Sequence, residues 1–238
     1  PLGDRGSGNQ GFFMVTPDLR FAQGGTRAAQ QADLALSACE AAGTTCKRYF
    51  RNRPAGSDQF GGNGWGWSNY DFVRFRSWDS RGDAGTPRVG RALIMPIAEM
   101  NLLKAEGLFR LGQYAAAATE INRTRTAGMV GGVATGGGLP AITAFDATSP
   151  VPGGENCVPK IPAGSALACG NMFEAMKWEK RMETAYTHYL SWYLDSRRWG
   201  DLAEGTPLFI PVPYQDWQAR GLPSEQIYHT GNVIGAAA

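Results

Sequence analysis

The chain reads as mainly α: helical hairpins joined by long, irregular, glycine-rich loops, with few short strands. Three observations predict this. After Pro87, apolar residues recur every three or four positions, the period of a helix with one apolar face. Residues 1–90 show little of that period. Glycine, at 32 of 238 residues and joined by 14 prolines, interrupts the chain too often for continuous regular structure. With 43% hydrophobic and 18% charged residues the chain still has enough apolar material for a folded core.

Residues 1–90 form a loop-rich region. Within it, Tyr70-Asp71-Phe72-Val73-Arg74-Phe75 alternates as a strand does, and Gly11-Phe12-Phe13-Met14-Val15 is a second short apolar run. Thr26 to Ala42, rich in Ala and Gln, predicts a short helix ended by Gly43. Residues 91–127 predict a helix pair. In its first member Leu93, Ile97, Met100, Leu103, Gly107 and Leu111 lie on one face, and Gly112 breaks the run where a C-terminal glycine should. The second, Tyr114 to Thr126, turns Ala117, Ala118 and Ile121 inward and ends at Gly128. The turn Leu111-Gly112-Gln113-Tyr114 has the Leu-Gly-x-Tyr-x-x-Ala character of a tetratricopeptide unit, so the hairpin is expected to be tetratricopeptide-like. Such units bury their faces only against neighbours.

Residues 128–170 are rich in glycine and proline and predict a long, disulfide-stapled surface loop; no Gly-Lys-Ser/Thr follows the glycines, which excludes a phosphate loop. Residues 171–215 predict a long helix and a closing extended segment. The helix runs from Asn171 to Trp199, with Asn171 as N-cap, Glu174 as its capping-box partner, and Met182, Tyr186, Tyr189 and Tyr193 as a core stripe. After Gly200, the prolines of Thr206-Pro207-Leu208-Phe209-Ile210-Pro211-Val212-Pro213 require extended backbone.

A net charge of +2, without a basic run longer than Arg197-Arg198, argues against a nucleic-acid partner. No stretch approaches the ~18 apolar residues of a membrane helix, and Pro1 to Gln10 does not read as a signal peptide. The four cysteines fall into two local pairs, Cys39 with Cys46 and Cys157 with Cys169. Their spacing does not suit a metal site, and the chain's histidines, His188 and His229, lie elsewhere. Two loop-stapling disulfides fit better, four free thiols being the alternative. Disulfides imply an oxidising compartment and hence an exported, processed chain.

Three segments, in this order, resemble the SusD/RagB family. Ala98-Glu99-Met100-Asn101-Leu102-Leu103-Lys104-Ala105-Glu106-Gly107, with its pairing helix to Asn122-Arg123-Thr124-Arg125, is similar to the family's Leu-x-x-Ala-Glu-Ala hairpin. Glu179-Lys180-Arg181-Met182-Glu183-Thr184-Ala185-Tyr186 resembles Glu-Arg-Arg-x-Glu-Leu-Ala-Phe, and Trp192-Tyr193-Leu194-Asp195-Ser196-Arg197-Arg198-Trp199-Gly200 resembles Arg-Tyr-Phe-Asp-Leu-Arg-Arg-Trp-Gly. Leu208-Phe209-Ile210-Pro211 is similar to the closing Leu-x-x-Ile-Pro. The chain departs from the family at Tyr186-Thr187-His188, where the family has Phe-Glu-Gly.

The resemblance implies a cell-surface protein of the bacterial outer membrane, not an enzyme and without cofactor. It would bind an oligosaccharide or peptide and deliver it to a SusC-like TonB-dependent transporter. It also implies that residues 1–238 are one incomplete domain, the C-terminal half of a longer precursor, attached to the membrane only through a lipid anchor that this chain does not carry. The alternative is a structural, self-assembling helical-repeat protein of the cell surface.

The motif residues Glu179, Glu183, Asp195, Arg197, Arg198 and Trp199 read as structural. Glu179 and Glu183 are an i,i+4 pair that repels unless cations intervene, and Arg181, Arg197 and Arg198 are available to pair with them or with Asp195. Two carboxylates one turn apart, ~6 Å, also fall in the range of retaining glycosidases. Projecting from a single helix amid arginines, they are expected to be structural instead. Neither His188, Arg81-Gly82-Asp83 nor Asp79-Ser80 with Asp83 makes a convincing catalytic, adhesive or calcium site. Trp65, Trp67 and Tyr70 read either as buried anchors of the core or, as the functional alternative, as the ligand surface. Two indoles one residue apart in an extended run point to the same side and offer an apolar face with N–H donors.

Overall fold

The computed structural model describes residues 14–33, 47–52, 70–74, 94–187, 190–203, 206 and 214–221. The chain divides into two compact units, Pro1–Thr184 and Ala185–Ala238. Among the described residues it is mainly helical with short strands, as expected.

The centre of the first unit is a three-helix packing. Helix α2 (Ile97–Arg110) ends where Gly112 takes φ +73°, and its last carbonyls are met by the N–H groups of Gly112 and Gln113. Helix α3 (Tyr114–Arg125) returns beside it, and α4 (Met172–Glu183) packs on both. The facing residues are apolar and mostly small: Leu102 and Ala105 from α2, Ala117, Ala118 and Ile121 from α3, and Ala175 and Met176 from α4, all fully buried. Alanine at the contacts lets the backbones approach closely, which is how α3, a poor apolar helix by composition, still finds a core.

Two sequence expectations need correction here. The apolar stripe of α2 does lie on one face, but it is the outer one: Ile97, Met100, Gly107 and Leu111 are exposed, whereas Glu99, Leu102, Ala105 and Glu106 are buried. Close packing selects the face that carries Ala105. The expected helix from Asn171 to Trp199 is two helices. It stops at Glu183, Tyr186 and Leu190 adopt positive φ, and α5 (Ser191–Trp199) begins afresh in the second unit. Beyond the break the 3.6-residue period no longer carries over, and Tyr186, expected in the core, is 79% exposed. The N-cap of α4 is as expected, since Asn171 accepts the Glu174 N–H at 3.0 Å, but the reciprocal bond of a capping box is not made. The Glu174 carboxylate binds Lys177 at 2.8 Å.

Ahead of the helices, Thr26 caps α1 (Arg27–Asp33) by accepting the Ala29 N–H. Strand β1 (Phe50–Asn52) pairs antiparallel with β2 (Tyr70–Phe72), and Phe21 bridges to Phe50. Rings then run in contact from Phe72 to Phe50, Phe21 and Trp178 of α4, with centroids 4.7–6.2 Å apart. A buried amide ties this region together: Gln30 donates to the carbonyls of Met14 and Gly24 and accepts from Asn52 and the Tyr70 hydroxyl. Although burial alone would raise it, hydrogen bonds from Arg48 and the Gln23 N–H hold the Asp33 carboxyl below its ordinary range.

Residues 128–170 are not a plain surface loop. Gly131 and Gly132, both at positive φ, turn β3 (Met129–Val130) into β4 (Val133–Ala134). Gly136 to Leu139 then forms a strap across the end of α3: the N–H groups of Gly137, Gly138 and Leu139 donate to the carbonyls of Thr124, Ala127 and Arg125, which the helix leaves without intrahelical partners. On its other side the Gly137 carbonyl accepts the Leu19 N–H at 2.8 Å. A Cβ on Gly136 would sit inside the contact distance of the Thr124 oxygen. Beyond the strap, β5 (Lys160–Ala163) and β6 (Ala166–Cys169) make an exposed hairpin, and the expected Cys157–Cys169 disulfide closes its base with Cα atoms 5.7 Å apart. Cys39 and Cys46 lie outside the described residues, as do residues 207–213, where an extended segment is expected. Helix α6 (Tyr214–Ala219) follows in the second unit.

Two measurements test this packing. Gly136→Ala is expected to lower unfolding free energy by about 2–3 kcal/mol because the strap must move off α3. Gly128→Ala, where a Cβ meets nothing within 4 Å, should stay within about 0.5 kcal/mol. The second concerns Glu120 of α3, held below the ordinary carboxyl range by hydrogen bonds from Lys104 of α2 (2.7 Å) and Arg123 (2.6 Å). Its folded pKa is the lower one, so its contribution is complete above the unfolded value of about 4 and is lost as pH falls through the folded value. Both cations are more than half exposed, so the effect is at most about 1 kcal/mol and shrinks with salt. Urea titrations of wild type and Glu120→Gln should therefore converge as pH falls through the lowered folded value.

Candidate functional site

The densest gathering of functional groups is a closed cluster of charge inside the first unit. It is assembled from the segment around Asp18 and Arg20, the end of α3, and one face of α4. Arg20 is wholly buried and uses all five of its N–H donors. Nε and Nη2 grip Asp18 at 2.9 and 2.6 Å; Nη1 and Nη2 grip Glu179 at 2.8 and 3.1 Å; Nη1 also reaches Glu183 at 3.2 Å.

Each carboxylate is engaged further. Asp18 accepts the Trp178 indole N–H (2.8 Å) and the Arg20 backbone N–H. Glu179 accepts the Thr124 hydroxyl at 2.9 Å. Glu183 accepts the Tyr49 hydroxyl at 3.2 Å and pairs with Arg74 at 3.0 Å, whose guanidinium also lies 4.0 Å over the Tyr49 ring and donates to the Glu183 carbonyl. Arg125 completes the set, 4.0 Å from Glu179 and fully buried.

Three guanidinium groups thus face three carboxylates, and the cluster is neutral. Against burial, which alone would lower it, Asp18, Glu179 and Glu183 hold the Arg20 guanidinium well above its ordinary value. Burial pushes the Glu179 carboxyl up, with Arg20 opposing. Burial and the neighbouring Glu183 charge likewise raise the Tyr49 phenol, keeping it a donor. Arg125 is the least satisfied member. Its Nε donates to the Pro140 carbonyl at 2.8 Å, but among the described residues Nη1 and Nη2 meet no hydrogen-bond acceptor, and burial lowers its pKa.

Chemically, this arrangement clamps. Glu179 and Glu183 point into a guanidinium rather than a cleft, and their side chains are at most 2% exposed. No substrate oxygen reaches them in this conformation. Asp18, Glu179 and Glu183 do not form a metal site either, and no group of three His, Cys, Asp or Glu side chains suited to a metal occurs among the described residues. No described helix is long and apolar enough to cross a membrane.

Of the residues expected from sequence, Glu179 and Glu183 come together. The counter-ions shown for them are Arg20, Arg74 and Arg125, from elements distant in the chain. Asp195 and Arg198 pair at 3.2 Å within α5, with the Arg198 side chain 44% exposed and its guanidinium 5.8 Å from the Trp199 ring. Arg197 is exposed and Trp199 half-buried. Gly200 ends α5 at φ +74°, donating to the Arg197 carbonyl. Tyr70 is half-buried, its hydroxyl donating to the Gln30 side-chain oxygen (2.7 Å) and accepting the Met14 N–H (3.0 Å). Trp65, Trp67 and His188 lie outside the described residues.

Sequence reasoning missed Asp18, Arg20, Thr124 and Arg125. The one available signal was the demand of the Glu179–Glu183 pair for a cation; it does not say that the cation stands 159 residues away.

Replacing Arg20 by Met should cost about 3–5 kcal/mol in unfolding free energy, because three buried carboxylates lose a shared counter-ion. Arg125→Met should cost only about 1–2 kcal/mol, since it removes one good hydrogen bond and two unsatisfied nitrogens. Equal losses in chemical denaturation would show that Arg125 carries as much of the clamp as Arg20.

Compared with protein-family models, with curated proteins and with solved structures, the chain matches none of them.

Proposed function

We propose that the chain is a nutrient-capturing module of the SusD/RagB kind. At the bacterial cell surface it would bind an oligosaccharide or peptide and pass it, chemically unaltered, to a SusC-like TonB-dependent transporter of the outer membrane. The observation that carries this reading is the ordered set of motifs on α2–α3, α4 and α5. Their residues have physical work consistent with motif status: the two glutamates of Glu179-Lys180-Arg181-Met182-Glu183 hold the buried arginine, and Gly200 of Asp195-Ser196-Arg197-Arg198-Trp199-Gly200 caps its helix in a left-handed conformation. The α2–α3 hairpin, turning at Leu111-Gly112-Gln113-Tyr114, supports a tetratricopeptide-like unit. The Cys157–Cys169 disulfide fits an exported protein.

A second reading, a self-assembling structural protein of the cell surface, is favoured by one observation, the exposed apolar face of α2. The two readings separate by experiment. On the first, the chain co-purifies with a TonB-dependent transporter encoded beside it and binds oligosaccharides or peptides in calorimetric titration. Trp65→Ala and Trp67→Ala should then weaken that binding about thirtyfold, as loss of an aromatic anchor does, while leaving the melting temperature nearly unchanged. Absence of both transporter association and ligand binding, in a chain that self-assembles, would favour the second.

A further inference from the structure

The outer face of α2 is apolar where a solvated helix face is normally polar. Ile97 is 80% exposed, Leu111 73% and Met100 52%, and the preceding Ile94 and Met95 are exposed as well. Together these five present on the order of 600 Å² of apolar surface, the upper limit of the largest patch on a typical monomer.

The same face holds an unexplained glycine. Gly107 lies in the last turn of α2, between Met100 and Leu111, and favours the helix less than an ordinary residue would. Among the described residues nothing requires it: its φ is ordinary, and a Cβ built there meets no atom within 4 Å. A glycine that no described neighbour explains is accounted for by a group packing closely on it from outside.

We infer that α2 docks antiparallel against α2 of a second copy of this chain. The spacing along the face is self-complementary, which is the requirement of a two-fold interface. An axis between Lys104 and Gly107 sets Met100 of each copy against Leu111 of the other and the long Lys104 stem over the other copy's Gly107. Large side chains thus fall opposite large ones at the ends, and a flexible stem falls opposite the gap at the centre. Lys104 brings no bare charge into the contact, because its ammonium pairs with Glu120 of its own chain at 2.7 Å. Fully covered in both copies, the apolar patches alone would bury on the order of 1,200 Å², the lower bound of a standard specific interface. The interface stands whether or not the chain captures nutrients.

The test is sedimentation equilibrium of the full chain with its disulfide intact, across micromolar concentrations, on wild type and two variants. Gly107→Gln places a helix-favouring side chain in space the monomer leaves open, so it should melt no lower than wild type in dilute solution. Ile97→Lys/Met100→Glu replaces exposed apolar groups with charge. The expected result is a wild-type dimer and, for both variants, a dissociation constant raised about thirtyfold or more, as for central interface positions. A monomeric wild type overturns the inference, and so does a dimer that both variants leave intact. Binding of oligosaccharide or peptide, measured on the same proteins, is a separate readout and should be unaffected by either variant.

Discussion

Arg20 is the constraint on which the first unit depends. A guanidinium stripped of water is stable only if every donor finds an acceptor and its charge is balanced. Arg20 meets both conditions with Asp18, Glu179 and Glu183. Asp18 comes from beside it, the glutamates from a helix 159 residues away. The bonds therefore form only when the N-terminal segment is seated on α4. Around that contact the rest is arranged: Trp178 stacks on Phe21 and donates to Asp18, Thr124 brings the end of α3 to Glu179, and Tyr49 and Arg74 bring the strand region to Glu183. In a network of this kind a single unmatched partner is costly.

The glycine strap serves the same contact. Thr124 and Arg125 are at the C-terminal end of α3, where carbonyls lack helical partners, and their side chains are committed to the cluster or to Pro140. Only backbone N–H groups that come very close can meet those carbonyls. Gly136 and Gly137 allow that approach, and the Gly137 carbonyl then carries the connection on to Leu19, next to Arg20. The strap thus joins the helix end to the arginine's own segment.

The first unit also inverts an ordinary distribution. Charge is concentrated inside, in Arg20, Arg125, Glu179 and Glu183, while α2 turns Ile97, Met100 and Leu111 outward. Buried charge and exposed apolar surface are the two departures that carry information about a protein, because neither follows from solvation alone. Here the first is answered within the chain by matched ion pairs. Among the described residues the second has no such answer, which is why the outer face of α2 bears on association.

Much of the local structure was legible in the residues. The α2–α3 hairpin, its Gly112 turn, the inward Ala117, Ala118 and Ile121, the Asn171 cap, the Gly200 stop, the short strand from Tyr70 and the Cys157–Cys169 pairing all follow from periods, caps and spacings, which are properties of neighbouring residues. Which face of α2 is buried did not follow, because two faces compete and the packing distance set by Ala105, Ala117 and Ala175 decides between them. The end of α4 at Glu183 did not follow either, since Tyr186 and Leu190 are not residues that announce a left-handed turn. Glycines read as loose loop proved to be close contacts, because a sequence shows a missing side chain but not the neighbour it makes room for. The sequence by itself determined that Glu179 and Glu183, one turn apart on a helix, require a cation. Only the tertiary structure decided that the cation is Arg20, because electrostatic pairing acts through space and leaves no periodic trace along the chain.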